Sequence, residues 1–236
     1  LSDLSGRAQL FKCALFVTGG NFVTFFTLPW MQTGDVANFE VSMYSHFVAN
    51  GVLLLLAYPL MFVIERTFGF TSNVTLFELS NTNKGLLRKM SEVAPGTFQH
   101  SITVGNLAAE IANRIGADSL LVRTGALYHD IGKMNNPVFF TENQVGVNPH
   151  KGLPYKESAR IIISHVTEGV KMAENANLPG FVREFILTHH GCGMAKYFYI
   201  NYKNEHPDEE VDVRDFSYPG PDPFTREQAI LMMADT

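Results

Sequence analysis

Seven residues of this chain carry side chains suited to holding metal ions: His100, His129, Asp130, His165, His189, His190 and Asp235. Two dipeptides stand out among them, His129-Asp130 and His189-His190. Five of the chain's eight histidines belong to the series, and all five lie after residue 99. Imidazole suits Mn, Fe and Zn, and carboxylates add hard oxygen ligands. An Asp set between two groups of histidines can bridge two metals, and a paired site clamps both the attacking and the leaving oxygen of a phosphoester. The residue types and their order therefore point to a two-metal phosphohydrolase site.

The bulk properties narrow the setting. A chain of 236 residues suits one domain of moderate size or two small ones. Its net charge of −5 argues against binding a nucleic acid polymer, which usually requires a basic stripe. The two cysteines, Cys13 and Cys192, lie far apart and form no disulfide framework, as in a reducing compartment. The chain opens on Leu1 and ends at Thr236, one residue after Asp235 and inside an expected helix, so it reads as a piece of a longer protein.

The elements that must position these residues follow a segment of different character. Residues 13–34 and 41–64 carry no charged side chain. Their cores, about 14–31 and 47–64, are each close to the roughly 20 residues needed to cross a bilayer. Trp30 and Tyr44 stand near the ends, where amphipathic rings favour an interface. Arg7 and Lys12 precede the first stretch, and Arg66, Lys84, Arg88 and Lys89 follow the second. The loop 32–40 has acidic residues only. The positive-inside rule then places both ends in the cytoplasm. The expected organisation is a transmembrane segment over 1–67, a linker over 68–94 and a cytoplasmic catalytic domain over 95–236.

From Pro95 onward the periodicity is helical, and the fold class is all-α. Ile102, Leu107, Ile111 and Ile115 are expected to share one face of a helix ended by Gly116. Asp118 caps a second helix running to about Asp130. A third is expected over 155–175, a fourth opened by Pro179 that ends at His189-His190, and a last one over 226–235. Residues 191–225 are expected to be loop apart from the aromatic patch Tyr197-Phe198-Tyr199.

The order H…HD…H…HH…D from His100 to Asp235 resembles the HD superfamily of metal-dependent phosphohydrolases, and the His165, His189 and His190 positions resemble its two-metal members. Five further segments are similar to one subfamily: residues 94–101, 125–133, 139–144, 162–166 and 218–221. It comprises the bacterial seven-transmembrane HD proteins, membrane-bound cyclic di-AMP phosphodiesterases of the PgpH type. The resemblance implies one metal on His100, His129, Asp130 and Asp235. It implies a second on Asp130, His165, His189 and His190, with Asp130 bridging and both ions Mn or Fe. A water between the metals would lose a proton and attack phosphorus in line. Asp130 and Lys133 are the expected catalytic residues, Lys133 holding a nonbridging phosphate oxygen. Asn143 and Lys196 are weaker candidates for substrate contacts, against simple loop packing. Tyr197 and Tyr199 are open between stacking on adenine and core packing, while His150 and His206 are expected at the surface. Cys192 is expected to be a small buried side chain rather than a ligand. The related cyclic di-GMP enzymes carry Gly-Tyr-Pro after the His pair. Here residues 191–196 read Gly-Cys-Gly-Met-Ala-Lys, which disfavours that substrate.

The resemblance implies a multi-pass protein of the bacterial cell membrane whose partners are a cyclic dinucleotide, the lipid bilayer and an external signal. Its expected reaction is cyclic di-AMP to linear pApA. Two alternatives stand beside it: an HD-type nucleotide phosphohydrolase, and a nucleotide-binding signal receptor without turnover.

Overall fold

The computed structural model describes residues 7–33, 41–68 and 71–236. Positions 1–6, 34–40 and 69–70, which include most of the expected outer loop and the start of the linker, lie outside the described residues. The chain divides into two compact units, Leu1–Glu78 and Leu79–Thr236. Among the described residues the regular structure is helical, with one isolated bridge between Met194 and Ser217.

The first unit holds α1 (Arg7–Thr33), α2 (Val41–Phe68) and nearly all of α3 (Asn73–Leu79). The α1 and α2 helices pack together through Phe47, whose ring lies 4.9 Å from that of Phe25 and 6.3 Å from that of Phe22. A Cβ on Gly51 would press against the Thr18 methyl, so the glycine permits the close approach. The stretches expected to span a bilayer, 14–31 and 47–64, are helical. Among the described residues, however, no helix is long and apolar enough to cross a membrane. After α2, the Glu65 carboxylate accepts from Ser72 N at 2.9 Å and from Thr75 Oγ1 at 3.1 Å, fastening the start of α3.

The second unit contains α4 (Gly85–Val93), α5 (Pro95–Ile115), α6 (Ser119–Tyr128), α7 (Tyr155–Asn175), α8 (Gly180–Thr188), α9 (Lys196–Glu205) and α10 (Arg226–Ala234). Local signals set several boundaries. Pro95 opens α5, and Gly116 closes it in the left-handed region at φ 69°. Asp118 caps α6 by accepting from Leu121 N at 2.9 Å, and Thr225 caps α10 through Gln228 N.

The four apolar residues expected on one face of α5 divide: Ile102 and Ile111 are half-buried against the core, and the other two are not. Leu107 and Ile115 are 52% and 54% exposed, and the buried positions are Thr97, Ser101, Val104, Gly105, Ala108 and Ala112. Small residues win here because α5 lies against α6, with Ala126 facing Gly105 at van der Waals distance. Larger side chains would hold the two backbones apart. A second difference is α9, a ten-residue helix in a region expected to be loop apart from its aromatic patch. Its sequence has no buried apolar stripe, so the periodicity that marks a core helix is missing.

The core is continuous with the site. Leu87, Met90, Leu127, Ile131 and Ile186 are fully or almost fully buried in one cluster. Val104, Ala126, Phe185 and Leu231 form a second, and Ala108, Ala112, Val122 and Ile230 a third. Gly132 is the tightest junction: a Cβ there would run into the His165 carbonyl and the Gly169 amide. Gly132→Ala is accordingly expected to destabilise the second unit by about 3 kcal/mol. Gly180→Ala, where a Cβ meets only the end of Arg183 at 3.7 Å, should change stability by less than about 1 kcal/mol. Urea or thermal unfolding of the two variants checks both.

Candidate metal centre

Five segments deliver the seven residues. His100 sits on α5, one turn after Thr97. His129 caps the C-terminal end of α6, and Asp130 follows it. His165 projects from the middle of α7. His189 caps α8 with His190 after it, and Asp235 caps α10, its N–H bonded to Leu231 O at 2.9 Å. Each of the seven comes from an element expected to carry it.

The rings are oriented by short local bonds. Nδ1 of His129, His165 and His189 lies 2.6, 2.6 and 2.7 Å from the carbonyl three residues earlier, on Ala126, Ile162 and Ile186. An Nδ1–H donated to that carbonyl fixes the ring orientation and aims Nε2 inward.

Asp130 lies between two sets of these nitrogens. Its Oδ2 is 3.1 Å from His129 Nε2 and 3.8 Å from His100 Nε2. Its Oδ1 is 3.3 Å from His165 Nε2 and 3.6 Å from His189 Nε2. Asp235 Oδ1 joins the first set, 2.8 Å from His100 Nε2 and 3.3 Å from His129 Nε2. Two groups of atoms are close enough to hold an ion: His100, His129 and Asp130, and separately His165, His189 and His190. Both Asp130 oxygens and His129 Nε2 are buried without a partner at hydrogen-bonding angles. Buried charged atoms without directed partners are costly, and a divalent cation would draw on all three. The donor set fits such an ion.

A cavity of about 1000 Å³ opens beside the centre. Lys133, Phe140, His165, His190 and Tyr218 form its inner wall, and His150, Tyr155, Tyr197 and Phe198 stand farther out. Lys133 Nζ contacts Asp130 Oδ2 at 2.7 Å and Glu142 Oε1 at 3.0 Å. Asn143 turns away from the role expected for it. Its Oδ1 accepts from Thr97 N at 3.1 Å and its Nδ2 donates to Thr97 Oγ1 at 2.7 Å, so it fastens the first turn of α5. Lys196 is exposed at the start of α9 and is not among the residues lining the cavity.

His150 is half-buried rather than at the surface, with its Nε2 3.0 Å from Phe139 O. Cys192 is exposed rather than buried; its N–H donates to Asp222 Oδ1 at 2.8 Å. Tyr218 was not singled out from the sequence as a site residue, yet its ring lies 4.2 Å from that of His190. The bridge between Met194 and Ser217 puts it there, with Tyr218 N donating to Gly193 O at 2.8 Å. The one sequence signal was the segment 218–221, which carries no metal-ligand pattern.

Comparison with known proteins places the chain in a family. The HD domain family matches residues 97–236, more than half of the chain. The chain belongs to the HD family. The family described as a 7TM receptor with intracellular HD hydrolase matches residues 1–72 of this HD protein. Cyclic-di-AMP phosphodiesterase PgpH of Bacillus subtilis (strain 168) is 37% identical over 239 residues, covering 100% of this chain and 33% of that protein. The PgpH of Listeria monocytogenes serotype 1/2a (strain 10403S) is 43% identical over 175 residues, covering 74% and 24%. The solved HD domain of L. monocytogenes PgpH in complex with cyclic-di-AMP matches with a TM-score of 0.63 at 44% identity, over 66% of this chain and 72% of that one. The chain thus spans a third or less of the length of these curated relatives.

Charge in the HD centre is unevenly shared. Burial opposes a charged ring at His129, but Asp130 and Asp235 outweigh it and push its pKa up to about 10. Burial pushes His165 down to about 4 and His190 down to about 2, neighbouring histidines adding to the effect. Burial alone would raise Asp130 and Asp235, yet His129 and Lys133 hold Asp130 well below the usual carboxylate range, and His100 and His129 do the same for Asp235. Burial pushes the Tyr218 phenol up to about 12, so it stays protonated.

At neutral pH a cation on the His129 side must displace a proton, whereas His165 and His190 have none to lose. Manganese binding on the His129 side is therefore expected to release a proton at pH 7. It should tighten as the pH rises toward about 10, where His129 would lose that proton unaided. Calorimetry in two buffers of different ionisation heat measures the release directly.

Proposed function

We propose that the protein is a metal-dependent phosphodiesterase that opens a cyclic dinucleotide, cyclic di-AMP, to the linear product. The observation that carries the reading is the placement of Asp130, with one carboxylate oxygen turned to His100 and His129 and the other to His165 and His189. That is the arrangement a bridging ligand needs. Cyclic di-AMP as the substrate is supported by similarity to the PgpH phosphodiesterases and to an HD domain solved with that compound.

In this reading His100, His129, Asp130 and Asp235 hold one divalent cation, and Asp130, His165, His189 and His190 the other. Manganese or iron suits such mixed nitrogen and oxygen donors. Bound there, the pair would supply a deprotonated attacking water and offset charge building on the phosphoryl oxygens. The chain's own groups do the rest. The Nδ1 bonds of His129, His165 and His189 keep the rings aimed. Lys133 presents an ammonium to a nonbridging phosphate oxygen. The Tyr218 hydroxyl, held protonated beside His190, offers a donor at the cavity wall. The aromatic side chains of Tyr155, Tyr197 and Phe198 give the outer cavity surfaces on which a base can stack.

Residues 1–67 are assigned to the end of a larger membrane portion, followed by a linker over 68–94 and the HD domain over 95–236 on the cytoplasmic side. The match of residues 1–72 to a seven-transmembrane family supports this. So do the apolar side chains that α1 and α2 leave exposed, among them Phe16, Val23, Phe26, Leu53, Leu56 and Leu60.

Two experiments check these readings. The intact chain with manganese should cleave cyclic di-AMP in preference to cyclic di-GMP and lose activity with chelator. Asp130→Ala should lower turnover by at least roughly a hundredfold; an active variant would remove the assigned centre. Trp30 is the chain's one tryptophan and is 57% exposed. Reconstituted with brominated lipid, its fluorescence should be quenched, and unchanged emission would count against the membrane assignment.

A further inference from the structure

Lys133 has two carboxylate neighbours for one ammonium. Its Nζ is 2.7 Å from Asp130 Oδ2 and 3.0 Å from Glu142 Oε1, but only the contact to Glu142 also has hydrogen-bonding direction. Oδ2 is the oxygen turned toward His129 and His100. A cation held by His100, His129 and Asp130 would bond to that same atom. Two positive groups on one carboxylate oxygen repel strongly where the carboxylate is 1% exposed.

Glu142 is built to receive the ammonium. Its Oε1 also accepts from Thr97 Oγ1 at 3.0 Å. The adjacent Asn143 bonds Thr97 at both N and Oγ1, so the carboxylate is carried on a segment fastened to the first turn of α5. Gly96 allows the contact, since a Cβ there would strike the Glu142 carbonyl. Lys133 and Glu142 both line the cavity, and the Phe140 ring lies 5.0 Å from the ammonium.

We infer that Glu142 is a positioning residue, a second seat for Lys133. When a divalent cation takes Asp130, the ammonium moves fully to Glu142 and so to the cavity wall, where a phosphate oxygen of the substrate can reach it. Lys133 is then the charge that a cation must displace from Asp130, and Glu142 makes the displacement easier. The inference rests on the metal reading of the site given above.

Manganese affinity, read by calorimetry on the intact chain, tests it without relying on activity. Lys133→Met should tighten binding at least roughly tenfold, in line with the strong coupling of close charge pairs. Glu142→Gln should weaken it roughly fivefold, because the ammonium then has Asp130 as its only carboxylate. The double variant should bind like Lys133→Met, since no ammonium remains to be seated. If Glu142 only braced α5, Glu142→Gln would weaken binding equally with and without Lys133, and that result overturns the proposal. Unchanged affinity in Lys133→Met overturns it as well. Should Lys133→Met not fold, Lys133→Gln takes its place. A wild-type chain that binds no manganese would remove the metal reading too, whereas wild-type binding without these shifts removes this inference alone.

Discussion

One buried carboxylate organises the centre. Asp130 is 1% exposed, and bringing such a group out of water is costly unless positive charge or directed donors surround it. Here an ammonium supplies positive charge on one side and imidazoles stand on two others, but neither oxygen receives a directed hydrogen bond. Each comes from a different part of the chain: α5, the end of α6, α7, the end of α8 and the turn at Lys133. The second unit must therefore close before these groups reach the carboxylate, which ties the integrity of the fold to the integrity of the site.

Close backbone packing makes that convergence possible. The α5–α6 contact uses Gly105, Ala108, Ala112 and Ala126, and Gly132 rests on the carbonyl of His165 itself. At these junctions the absence of side-chain bulk sets the distance between donors. The larger apolar residues fill the volume behind them, Leu127 and Ile131 on either side of the His-Asp pair and Ile186 just before the His pair. Burial of such side chains contributes about 1.5–3 kcal/mol each, so the rigidity of the centre is maintained by ordinary core packing.

Much of this was legible in the residues. Helix boundaries marked by Pro95, Gly116, Asp118 and Pro179 fall where local chemistry places them, because caps and breakers act over a few residues. The seven ligand-type residues are brought together because each sits on or beside an element with a clear helical signal. On α5 the fully buried positions are mostly small, because hydrophobic periodicity marks large side chains while helix–helix approach selects Gly and Ala. The α9 helix was missed because it buries no residue fully. Tyr218 was missed as a site residue because its position depends on a bridge between segments 23 residues apart, Met194 to Ser217. Asn143, open in sequence between a substrate contact and loop packing, packs: its amide completes a helix start.

The orientation of the three fixed imidazoles has a further consequence. His129, His165 and His189 each take their tilt from a carbonyl three residues upstream, so the information that aims the rings is contained within single turns of helix. The inner cavity wall includes His165 and His190 themselves, but the outer wall comes from other segments, the stretch 139–155 and the start of α9. Centre and outer wall can therefore change at different rates: substitutions or length changes in the outer wall can retune which molecule is admitted while the ring geometry stays as it is. A chain built this way can diversify its recognition without redesigning its chemistry.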